Sequence, residues 1–154
     1  MKARTSVMTL ALCFLTGAVC FASDAQMGTW KLDEAKSKLA AGMPKNSTIV
    51  FETAGDSVKV TIDGTDSAGK PAHNEWTGKL DGKDYPVTGD PNSDARSLTK
   101  IDDRTLGFNV KNGGKATISG HIVVSADGNS RTVTTSGIDS NGKKVSSTAI
   151  YDKQ

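Results

Sequence analysis

His73 and His121 are the only imidazoles in the 154-residue chain, and they are the natural place to look for acid–base chemistry near neutral pH. On a period-two reading His73 shares a face with Glu75, Thr77 and Lys79, and His121 with Thr117 and Ser119. Both faces are polar, so both rings are expected in solvent. No G-x-S-x-G surrounds a serine, and no third group completes a triad. A two-histidine metal site would still lack a third ligand. The two cysteines, Cys13 and Cys20, fall in the apolar N-terminal stretch, so the rest of the chain has no thiol nucleophile, disulfide or cysteine–metal site. Asp90-Pro91-Asn92-Ser93-Asp94 has the spacing that begins a calcium loop. An EF-hand would need glycine at the sixth position and glutamate at the twelfth, where Ala95 and Ile101 stand. The segment reads as a polar loop, part of the long connection between Val87 and Ser97, and long loops on tight scaffolds form rims or lids. No catalytic residue, metal ligand or cofactor motif emerges.

Binding is better represented. Ala72, Asn74, Trp76, Gly78 and Leu80 share one face on strand phase. A large aromatic beside glycine and an amide either leaves a pocket or is the large–small packing that any barrel interior needs. Tyr151 adds a hydroxyl near the end of the chain. Trp76, Tyr151 and Asn74 are therefore the candidate ligand-binding residues.

These side chains need strands to position them, and the pattern supplies strands. Turn signals recur at Ala54-Gly55-Asp56, Ser67-Ala68-Gly69-Lys70, Asp81-Gly82-Lys83, Asp102-Asp103-Arg104, Asn112-Gly113-Gly114, Ala126-Asp127-Gly128-Asn129 and Ser140-Asn141-Gly142-Lys143. Between them, Val58/Val60/Ile62, Leu106/Phe108/Val110 and Ile118/Ile122/Val124 alternate with polar residues. Asp33 to Leu39 is the one helix candidate, with Asp33 as N-cap and Gly42-Met43-Pro44 ending it. One short helix cannot cover so many dry faces, so the sheet must close on itself. The expected fold is all-β, an antiparallel up-and-down barrel of about 8–10 strands with one short helix after the first strand. Val60-Thr61, Gly64, Asp66-Ser67 and Gly69-Lys70 recur 73 residues later as Val133-Thr134, Gly137, Asp139-Ser140 and Gly142-Lys143. This reads as one strand–turn solution used twice rather than as a duplicated ligand loop.

Residues 1–22 read as an export signal. Lys2 and Arg4 precede an apolar run from Val7 to Phe21, too short to span a bilayer, that ends in small residues. Cleavage fits after Ala22 or after Ala25. Residues 23–154 are then a single domain in the periplasm or outside the cell. The chain has 19 basic and 17 acidic residues, and losing Lys2 and Arg4 brings its net charge from +2 to zero. Without a basic run, nucleic acid is not an expected partner. No membrane span is expected in residues 23–154. The oligomeric state is not legible.

Gly28-Thr29-Trp30-Lys31-Leu32 resembles the opening strand of the calycin superfamily, the lipocalins and fatty-acid-binding proteins, in which this Trp closes one end of a barrel. Ser147-Thr148-Ala149-Ile150-Tyr151 resembles the last strand of the fatty-acid-binding branch. There the resemblance implies an Arg and a Tyr that hold a lipid carboxylate. Tyr151 matches the Tyr, but Ala149 stands where the Arg would be. The segments Gly28–Lys38, Asp81–Gly89 and Tyr151–Gln154 are also similar to small exported bacterial proteins of unknown function.

The expectation is an exported, non-enzymatic barrel that binds a small neutral apolar or amphipathic ligand. The alternative is a structural or interaction protein with a filled barrel, acting through its surface or the 89–96 loop. Neutrality follows from the inner positions read from alternation, which contain no Lys or Arg to balance a buried carboxylate.

Overall fold

The computed structural model describes residues 24–139 and 141–154. The expected export signal, 1–22, lies outside the described residues. Ten strands run in order: β1 Gly28–Lys38, β2 Lys45–Ala54, β3 Ser57–Thr65, β4 Pro71–Gly78, β5 Tyr85–Thr88, β6 Ala95–Lys100, β7 Thr105–Asn112, β8 Lys115–Val124, β9 Ser130–Ile138 and β10 Lys144–Lys153. Each pairs antiparallel with its chain neighbours, and β1 also pairs with β10, which closes the barrel. The topology is the expected up-and-down meander.

The expected helix over Asp33–Leu39 does not form. β1 continues through it to Lys38, with a wide irregularity in which Asp33 faces Ile150 and Lys38 faces Thr148. The capping contact is real: the Asp33 carboxylate accepts the Lys36 N–H at 3.1 Å. However, the Ser37 hydroxyl donates to the Asp33 carbonyl at 2.6 Å and accepts the Ile150 N–H at 2.9 Å. The serine thus patches the interrupted ladder to β10, and the single turn becomes a bulge instead of a helix nucleus.

The inner face carries the alternating residues. Ile49, Phe51, Val58, Val60, Ile62, Leu98, Leu106, Ile122, Val124 and Val133 are all buried. Gly120 is required where β8 runs against β9. A Cβ there would collide with the Thr134 carbonyl oxygen and lie 2.9 Å from the Phe108 ring. The repeated segment resolves into one loop built twice. Asp66 Oδ1 accepts the N–H groups of Ala68 and Lys70, at 2.8 and 2.9 Å. Asp139 Oδ1 accepts those of Asn141 and Lys143, both at 2.9 Å. This is the Asx-turn chemistry of a tight connection. Both histidines are exposed on the outer face, His73 with its Nδ1 2.6 Å from Asp63 Oδ1.

Candidate ligand chamber

The two ends of the barrel differ. At the end holding the 54–57, 100–105 and 124–130 turns, the interior is plugged. Trp30 is fully buried there, and its indole N–H donates to the Gln26 carbonyl at 2.8 Å. The Gln26 amide donates in turn to the Arg104 carbonyl at 3.0 Å. Arg131 completes the plug, with its guanidinium carbon 4.7 Å from the Trp30 ring centroid, 4.9 Å from Phe51 and 5.3 Å from Tyr151. Its three guanidinium nitrogens are sealed from solvent and make no hydrogen bond.

At the other end the interior opens. A cavity of about 430 Å³ extends from the mouth towards the plug. Its mouth is edged by 39–46, 64–66 and 89–92. Its wall includes Phe51, Val60, Ile62, Leu98, Ile122 and Val133, and its floor reaches Arg131. The 89–92 segment is thus part of the rim, as its length suggests. Gly89 sits there at φ +84°, and a Cβ would approach the His73 carbonyl oxygen at 2.5 Å. The acidic groups of the loop are engaged locally. Asp90 accepts from the Asn92 N–H and the Ser93 hydroxyl, and Asp94 from the Gly113 N–H.

Of the three candidate ligand-binding residues, Asn74 and Tyr151 line the cavity and Trp76 does not. Trp76 is on the inner face but is locked into the wall. Its N–H donates to the Arg96 carbonyl at 2.8 Å, and Tyr85 meets it edge-on with centroids 5.9 Å apart. Gly78 makes room for both rings, since a Cβ there would lie 2.6 Å from each. The small residue beside the aromatic therefore serves packing at this point. Tyr151 is buried, and its hydroxyl donates to the Asn46 carbonyl at 2.9 Å. Burial pushes its phenol pKa up to about 12, against the opposing pull of Arg131.

The expectation that the interior lacks a cation is overturned. Arg96 and Arg131 both project inward and both line the cavity. Burial holds Arg96 down to about 10, partly offset by Asp90, and holds Arg131 down to about 9. Both values leave the guanidinium charged at neutral pH. Arg96 Nη2 donates to Asn74 Oδ1 at 3.2 Å. A signal for both was present. Arg96 stands two residues before Leu98, and Arg131 two before Val133, so period-two alternation puts each on the apolar face. Treating 89–96 as loop conceals the first, because β6 already starts at Ala95.

No protein-family model matches the chain, and no curated protein matches it. Solved β-barrels do. A redesigned β-barrel shares 15% identity over 88% of this chain and 97% of its own, with a TM-score of 0.45. A structure named EF1p2_mFAP2b bound to DFHBI shares 12% identity over 86% of this chain and 97% of its own, with a TM-score of 0.48. The redesigned barrel mFAP1 bound to DFHBI shares 18% over 84% and 98%, with a TM-score of 0.43. The likeness is one of fold.

Proposed function

We propose that the protein is an exported, non-enzymatic barrel that holds a small ligand with an apolar body in its interior. The observation that carries this reading is the cavity. Its volume of about 430 Å³ falls within the range of about 300–1,000 Å³ typical of small-molecule sites. It is closed at one end, open at the other and walled mainly by aliphatic and aromatic side chains, so desolvation of an apolar body supplies the driving force. A filled barrel acting only through its surface would have no reason to keep such a volume. The reading is non-catalytic because the lining contains no His, Cys or Glu, and its two carboxylates, Asp66 and Asp90, accept backbone hydrogen bonds at the rim. A ligand takes its place against Asn74 and Tyr151, while Trp76 stiffens the wall behind.

The test is a fluorescence titration with phenylnaphthylamine, an uncharged apolar probe. Saturable binding at one site per chain is expected. Ala149→Phe, which pushes a ring into the chamber, should weaken that binding at least tenfold in protein that still melts cooperatively. Absence of saturable binding by the wild type, or an unaltered affinity in the filled variant, would sink the reading.

A further inference from the structure

Among the polar groups that line the chamber, Arg96 and Asn74 form a pair whose chemistry is one-sided. Arg96 on β6 and Asn74 on β4 meet across the short strand β5, both on the wall below the 89–92 rim. Asn74 Oδ1 is occupied by Arg96 Nη2. What remains is donors: the Asn74 amide N–H groups and the rest of the guanidinium. Arg96 is buried, at 8% exposure, and both it and Asn74 line the cavity. Among the described residues, the guanidinium nitrogens that are sealed and without a partner are those of Arg131. A cluster of free donors around one positive charge, with its acceptor already used, suits an oxyanion and rejects another donor.

We propose that Arg96 and Asn74 form a headgroup subsite for a singly charged oxyanion, so that the ligand is an amphiphilic acid with its apolar part against the chamber wall. This rests on the reading of the cavity as a ligand chamber and names the chemistry at one of its poles. A carboxylate fits the guanidinium side-on through two parallel N–H···O contacts, and the Asn74 amide supplies a third donor. Below the pair, Leu98, Ile62, Val60 and Phe51 give a continuous apolar wall for a tail. Asp90 at the rim sets the charge limit. One guanidinium carries one positive charge, and Asp90, which lines the same cavity and whose field acts on Arg96, opposes a second negative charge on the ligand.

The experiment uses the purified protein and a matched pair, decanoate and decanol, each displacing phenylnaphthylamine at neutral pH. The acid should bind at least tenfold more tightly than the alcohol. Arg96→Met should bring the acid-to-alcohol ratio to about one, Arg96→Lys should leave an intermediate ratio, and Asn74→Leu should lower it several-fold. If Arg96→Met does not fold, Arg96→Gln, which keeps a donor to Asn74 without the charge, is read on the same ratio. A wild-type ratio near one, or a ratio that survives loss of the Arg96 charge, overturns the anion subsite while phenylnaphthylamine binding leaves the chamber standing. Failure of all three compounds to bind overturns the chamber and the subsite together.

Discussion

Arg131 and Arg96 are both buried guanidiniums inside one barrel, yet they are put to opposite uses. Arg131 presents its flat faces to Trp30, Phe51 and Tyr151, while its nitrogens are shut away from any solvent-sized space. Lys153 lies over Trp30 as well, with its ammonium 5.2 Å from the ring centroid, so the indole of the plug sits against two cations. Arg96 has no aromatic stack among these cation–ring contacts. It has an amide partner and a view of the cavity. Burial depresses the basicity of both, so burial alone does not distinguish a packing cation from a recognition cation. Access to the N–H edge does. The closed end uses a guanidinium as a flat, polarisable spacer between rings, and the open end uses one as a fork.

The largest effect that would test this contrast is at Trp30. Truncation to Ala removes the central ring of the plug and should cost about 3–5 kcal/mol, a large part of the roughly 5–15 kcal/mol that holds a domain together. Chemical denaturation measures it. A midpoint close to wild type would mean that the plug is not a structural keystone. Next comes Arg131→Ala, expected to cost about 2–4 kcal/mol through lost packing against three rings. The acid-to-alcohol affinity ratio should stay within about twofold of wild type, because the sealed nitrogens cannot reach a headgroup. A collapse of that ratio in a folded Arg131→Ala protein would move the anion subsite to the floor and erase the contrast. The smallest effect is at the rim. Asp90→Asn removes a negative charge that acts on Arg96 and should tighten decanoate binding about two- to threefold at low salt. Most of the gain should vanish at high salt, and weakened acid binding would show that Asp90 orders the rim more than it repels the ligand.

The barrel was legible because three independent regularities agree in the sequence. The Gly- and Asp-centred turns are evenly spaced, Val58/Val60/Ile62 and its counterparts keep period two, and there is too little helix to cover a sheet. Asp33 misleads because its carboxylate makes the same contact in a bulge as at a helix N-cap. Only the Ser37 bridge to Ile150, more than a hundred residues away, decides between the two outcomes. The chamber was legible in part. Asn74 follows from alternation, and Tyr151 from the resemblance of its segment to the last strand of the fatty-acid-binding branch. The fate of Trp76 depends on Tyr85 filling the space over Gly78, which belongs to β5, a strand of only four residues with a weak pattern of its own. The arginines were hidden by their type. A charged residue at an inward position reads as an interruption of a strand until the partners that tolerate it, aromatic faces in one case and an amide with open space in the other, are brought in by tertiary structure.

The pairing of β1 with β10 has a consequence for how the chain reaches this shape. Trp30 faces Lys153, Leu32 faces Tyr151, and the Gln154 N–H donates to the Thr29 carbonyl at 3.0 Å. The seam is therefore sewn between segments separated by nearly the whole length of the domain, with the heaviest loop-closure cost of any ladder in the molecule. A chain being made from its N-terminus can assemble hairpins one after another, but it cannot seal the cylinder until β10 is in hand. Until then Trp30 has only one of its two neighbouring strands, and the edges of β1 and of the newest strand stay open to pairing with other chains. The β1–β10 ladder is thus the pairing that has the longest loop to close, and it is the step at which the molecule trades a sticky open sheet for a vessel with an inside.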